Sequence, residues 1–117
     1  MHVKNIDDIE SEVLESGSGV SRQMLIGPEE GPNFAMRKLV IEPGGGIPAH
    51  TSGAEHEQYV LGGTARVGIG DQVYEVGKGD VVFIPAGEPH WYEAYGEESF
   101  ELLSVVPNSG NKMVFVK

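Results

Sequence analysis

Histidine is the residue type with the most chemistry to offer in this chain. There are four histidines and no cysteine. His50 and His56 stand in a stretch from Pro43 to Gly63 that is rich in glycine and proline. His90 closes a second such stretch, Gly79–His90. Imidazole is the commonest protein ligand for mid-series metals, and it binds them as the neutral base. Taken singly, each histidine reads as a solvated or hydrogen-bonded side chain beside a turn. Taken together, their placement against short alternating segments argues for a shared role. We read His50, His56 and His90 as meeting inside a small β-barrel and holding one divalent metal ion. Fe, Mn, Zn and Ni all accept imidazole, so the residue type does not select among them.

The elements that must position these residues are short strands. His56–Leu61 alternates, with His56, Gln58 and Val60 on one face and Glu57, Tyr59 and Leu61 on the other. Thr64–Ile69 alternates as well, Gly70-Asp71 is a hairpin signal, and Gln72–Val76 returns. Val81–Ile84 is a continuous apolar run, which predicts a strand buried on both faces. His90–Tyr95 follows a proline loop, and Phe100–Val106 carries Phe100, Leu102 and Ser104 on one face. Met113–Val116 makes a last strand. Upstream, Phe34–Glu42 reads as a strand stopped by Pro43 and three glycines, and Val20–Gly27 as an outer strand. Ser16-Gly17-Ser18-Gly19 reads as a flexible connector, and residues 2–15 carry only weak helical spacing, enough for one short turn. Roughly eight to ten short strands without a long helix predict an all-β barrel or sandwich.

Composition bounds the rest. The 117 residues make one domain, 1–117, long enough to bury a core without staples. The absence of cysteine removes disulfides, thiolate metal sites and cysteine nucleophiles together. The N-terminus lacks the apolar run of a signal peptide, and no apolar stretch approaches the roughly 20 residues of a membrane span. The expected location is therefore cytoplasmic, with no membrane partner. A formal net charge of −10 repels polyanions, which excludes nucleic acid as a partner. Gly44-Gly45-Gly46 is no phosphate loop, because no Lys-Ser/Thr pair and no helix start follow it. No serine sits in a nucleophile elbow.

The residues match a known pattern at two places. Gly44, His50, Ser52, His56 and Gly63 fall on one motif, which runs glycine, five residues, His-x-His, three or four residues, glutamate, six residues, glycine. Gly79, Pro85, Gly87, His90 and Ala94 fall on a second, which runs glycine, five residues, Pro-x-Gly, two residues, histidine, three residues, asparagine. In this the chain resembles the small single-domain members of the cupin superfamily. The resemblance implies a double-stranded β-helix, a jelly-roll-like barrel with its core over about 34–107. It also implies a homodimer paired through the barrel wall and the N-terminal strand. Three departures change the implied site. Ser52 stands where a second histidine is usual, His56 where glutamate is common, and Ala94 where asparagine is usual. A three-histidine site is implied, with a water in the place that the usual histidine at position 52 would take.

Around such a site, alternation puts Gln58 and Tyr92 inward. Gln58 can orient a metal-bound water or satisfy a buried hydrogen bond, and Tyr92 can line the cavity or pack with its hydroxyl paired. These two are the candidate catalytic residues. Phe34, Met36, Ile47 and Leu102 are expected to complete an apolar wall. Glu55 and Glu57 read as solvated charges, and Trp91 as an outward residue that covers a subunit contact. The resemblance implies a metal-dependent enzyme acting on a small organic molecule, first of all a dioxygenase-like one. A redox-neutral isomerase, cyclase or decarboxylase, and a non-catalytic small-molecule-binding module, stay open beside it, because one fold hosts all of these.

Overall fold

Residues 2–110 and 112–116 are described in a computed structural model. The glycine and proline punctuation divides them into a 3-10 turn, Ile6–Asp8, and ten strands. These are β1 (Ser11–Leu14), β2 (Ser18–Ile26), β3 (Phe34–Ser52), β4 (His56–Gly62), β5 (Thr64–Ile69), β6 (Gln72–Gly77), β7 (Val81–Ile84), β8 (His90–Tyr95), β9 (Phe100–Pro107) and β10 (Met113–Phe115). All are joined in one antiparallel sheet with the path β6-β5-β8-β3-β9-β4-β7. β2 and β10 attach to β3, and β1 attaches to β2. The sheet curls on itself around Ile41, Val60, Val67, Ile84, Phe100 and Leu102, all nearly sealed from solvent. The chain is thus all-β, a curled barrel of the expected class. Among the described residues no helix is long and apolar enough to cross a membrane.

The centre of the sheet is β3, and it corrects the reading of Pro43 and the three glycines as a stop. The strand runs through them for 19 residues. Before them it pairs with β2 and β9, as far as Ile41 opposite Phe100. After them it pairs with β8, with Gly46 opposite Glu93, Ile47 opposite Tyr92 and His50 opposite His90. The glycines are a corner at which one strand changes partners. Gly44 takes a left-handed φ of 83°, which L side chains rarely adopt. A Cβ at Gly46 would collide with the Tyr92 carbonyl. Proline and glycine therefore bend the strand without ending it.

Three further expectations are corrected. β7 is an edge strand paired only with β4, so it buries Val82 and Ile84 while Val81 is 77 % and Phe83 54 % exposed. The supposed connector at 16–19 is a hairpin turn into β2, since Leu14 pairs with Val20. Residues 2–15 hold the single turn, capped by the Asn5 side chain, which accepts from the Asp7 amide at 2.9 Å, and then β1. The last strand ends at Phe115 and lies along the far end of β3, with Phe115 opposite His50.

Candidate functional site

The three histidines come from β3, β4 and β8, and the fold delivers all three to one cavity. The corner at Gly44–Gly46 turns the second half of β3 so that His50 lies directly opposite His90. His56 opens β4 on its inward face, opposite Ile84. The His50 and His90 ring centroids are 4.1 Å apart, and those of His56 and His90 are 5.5 Å apart. His50 Nδ1 meets the Pro48 carbonyl at 2.9 Å, and His90 Nδ1 meets the Glu88 carbonyl at 3.0 Å. A carbonyl only accepts, so in each ring Nδ1 carries the proton and Nε2 keeps its lone pair. The Nε2 atoms of His56 and His90 are buried with no hydrogen-bond partner.

Burial keeps these rings neutral. It pushes the His56 pKa down to about 3, with the Arg37 guanidinium and the two neighbouring imidazoles acting in the same direction. It pushes His90 down to about 4 against the opposing Glu88 carbonyl, and it lowers His50 as well. Buried, uncharged imidazoles with free lone pairs are a donor set that suits a divalent ion. Among the described residues no group of three His, Cys, Asp or Glu side chains already closes around one point. With metal–nitrogen bonds of about 2.0–2.1 Å, rings sharing an ion would have centroids roughly 4.5–5.2 Å apart. The two observed separations, 4.1 and 5.5 Å, lie on either side of that interval, so these rings stand close enough to share an ion once they reorient.

The other anticipated residues take distinct places. Gln58 and Tyr92 are buried and face each other across the cavity, Gln58 Nε2 lying 2.8 Å from the Tyr92 hydroxyl. Gln58 also reaches Ser104 at 3.5 Å. Burial pushes the Tyr92 pKa up to about 12, so the phenol stays protonated. Ser52 lines the same cavity and its hydroxyl accepts from the Ala54 amide at 3.3 Å. Ile47 is in the wall, and Leu102 lies in the core behind it. Phe34 is 61 % exposed, and Met36 sits in a separate hollow under Val3, Ile6 and Ile9. The expected apolar wall is supplied instead by their neighbours Ala35 and Leu39. Glu57 points outward, and Trp91 lies over Gly68 of its own chain.

The cavity measures about 460 Å³, within the range of small-molecule sites. Two lining residues with an unpaired buried atom escaped the sequence reading. Arg37 stands between Ala35 and Leu39 on the inward face of β3, and its Nε is buried without a partner. Asn108 donates to the Gly31 carbonyl at 2.6 Å, while its Oδ1 is buried and unpaired.

The barrel thus carries histidines from the neighbouring strands β3 and β8, and from β4 across β9, into one cavity. The family model for the cupin domain matches residues 37–106, and the chain belongs to this family. It is 35 % identical over 63 residues to the acireductone dioxygenase of Citrobacter koseri, covering 50 % of this chain and 35 % of that enzyme. The chain thus spans about a third of the length of that relative. The polyketide cyclase RemF of Streptomyces resistomycificus superposes over 100 % of this chain and 86 % of its own, with a TM-score of 0.91 and 28 % identity. A cupin-2 domain of Rhodospirillum rubrum shares the fold at a TM-score of 0.87 and 21 % identity, over 98 % of this chain and 80 % of that one.

Proposed function

We propose that this chain is a metal-dependent enzyme that transforms a small organic molecule inside its barrel. The observation that carries the reading is the pair of buried, unpaired Nε2 atoms on His56 and His90, with the His50 ring 4.1 Å from that of His90. Such lone pairs are costly to bury without a partner, and a divalent ion at His50, His56 and His90 would satisfy them. The ion would supply Lewis acidity at positions the three ligands leave open. Tyr92, kept a neutral phenol by burial and paired with Gln58 in the empty cavity, would turn its hydroxyl to the oxygen of a bound substrate.

Of the reaction types, the redox-neutral one is favoured by full-length likeness to a polyketide cyclase. The dioxygenase-like reading is favoured by a relative matched over half of the chain, an acireductone dioxygenase. Metal analysis of untagged protein, followed by dioxygen-uptake assays on enolisable carbonyl compounds, tests both. We expect one divalent ion per chain. Turnover without oxygen uptake supports the redox-neutral reading, and uptake supports the other. Protein that takes up no Fe, Mn, Zn or Ni in stoichiometric amount refutes the proposal.

A further inference from the structure

Among the described residues Arg37 has no counter-charge. Its Nε is sealed from solvent and unpaired, and no described residue forms an ion pair or hydrogen bond with its guanidinium. The cavity wall contains no Asp or Glu. Arg22 is the other cation there, and it is committed to Glu12, with Nε donating at 2.8 Å. Tyr92 is the one side chain in the wall that could become an anion near Arg37, and burial keeps it protonated. A chain of net charge −10 thus places an unbalanced cation in the one cavity where its histidines meet. Arg37 is half-buried, and a cationic donor sealed from solvent at Nε without a partner is costly to keep there. Structural arginines solve this with a carboxylate neighbour, and among the described residues none is supplied.

We infer that Arg37 is the recognition residue for a carboxylate group on the ligand of this cavity. The terminal nitrogens are not sealed off as Nε is, so they can offer a planar fork to two carboxylate oxygens. This deepens the proposed function by naming a substrate class, small organic acids. It stands on Arg37 alone and does not need the metal. If an ion is present, three neutral imidazoles leave its charge uncompensated as well, and a carboxylate on the ligand offsets part of both charges.

The test follows the Arg37 side-chain N–H resonance and binding heat while full-length protein is titrated with acetate and benzoate. Acetamide and benzamide serve as neutral near-isosteres, and each titration is repeated after chelator treatment. In chelated wild type we expect a carboxylate to bind about tenfold or more tighter than its amide, the scale of one charge-assisted hydrogen bond. Arg37→Met should cancel that difference, and Arg37→Lys should restore part of it. No response to either acid up to tens of millimolar overturns the inference, as does a preference for acid over amide that survives Arg37→Met. Carboxylate binding without stoichiometric metal uptake would defeat the metal reading and leave this one standing. Metal uptake without carboxylate discrimination would do the reverse.

Discussion

His56 keeps its lone pair under pressure from three sides. Burial, Arg37 and the two other imidazoles all disfavour a positive charge there, which is why its pKa falls to about 3. Its Nε2 has no partner to give up when an ion arrives. Removing His56 or His90 should therefore cost metal affinity more than the roughly 10–100-fold that outer-shell partners cost. Chelator competition on His56→Ala and His90→Ala checks this, with circular dichroism confirming that the strands remain. Affinity within tenfold of wild type would show that these rings are packing residues. Ser52 is the complementary case. It lines the cavity two residues after His50, and its hydroxyl already accepts from the Ala54 amide. A neutral hydroxyl is a poor ligand for a borderline metal. Ser52→His should add a fourth imidazole and tighten metal binding in the same competition, while changing any activity more than stability. Equal or weaker affinity in a folded variant would mean that position 52 does not reach the ion.

At the scale of elements, β3 decides whether the site exists. Its corner lets one strand pair with β9 on one side of the bend and bring His50 opposite His90 on the other. Gly46→Ala puts a methyl against the Tyr92 carbonyl, so the two strands must part. We expect a loss of about 1–3 kcal/mol, as for other overpacked sites, read as a lowered urea midpoint with weakened metal binding. An unchanged midpoint would mean that the corner has slack. The same strand shows where sequence reading stops. β4 and β8 are legible because a glutamate fixes the outward face of each, Glu57 and Glu93, and the histidines fall on the opposite parity. In β3 both faces are partly apolar, since the N-terminal turn covers Met36 from outside. Alternation then has no contrast, and a choice of parity that is off by one residue moves every side chain to the other face. That choice placed Phe34 and Met36 inside in place of Ala35 and Arg37. An arginine also reads by default as a surface residue, so the one uncompensated cation of the cavity was hidden twice. β7 failed for a different reason. Val81 and Phe83 are apolar yet exposed on an edge strand, and composition alone cannot separate an exposed edge from a buried centre.

For the whole molecule, charge and shape are sorted rather than mixed. The acids lie outside, and the cavity wall holds histidines, arginines and neutral groups. The exposed edge carrying Val81 and Phe83 is compatible with the expected homodimer, because open strand edges invite pairing. Sedimentation at tens of micromolar should give twice the chain mass, and a monomer alone would remove the dimer. The buried imidazoles also set how stability depends on pH. An unfolded histidine titrates near 6.5, whereas His90 and His56 in the folded protein titrate near 4 and 3. Between those limits the unfolded chain takes up protons that the folded chain refuses, so stability rises with pH. The contribution is complete above about 6.5 and is lost as pH falls towards 4 for His90 and 3 for His56, at up to about 1.4 kcal/mol per pH unit for each ring. His50, shifted in the same direction, adds to the slope. Carboxylates with lowered pKa values, such as Glu30 beside Lys4, lose their contribution only below the ordinary carboxylate range. Urea midpoints of chelator-treated protein at pH 7.0, 6.0 and 5.0 separate the two effects. They should fall steadily across that series, and a His56→Gln, His90→Gln double variant should fall much less. Wild-type midpoints that stay level from pH 7 to 5 would mean that these rings are hydrated and titrate normally, and the burial argued for them would be wrong.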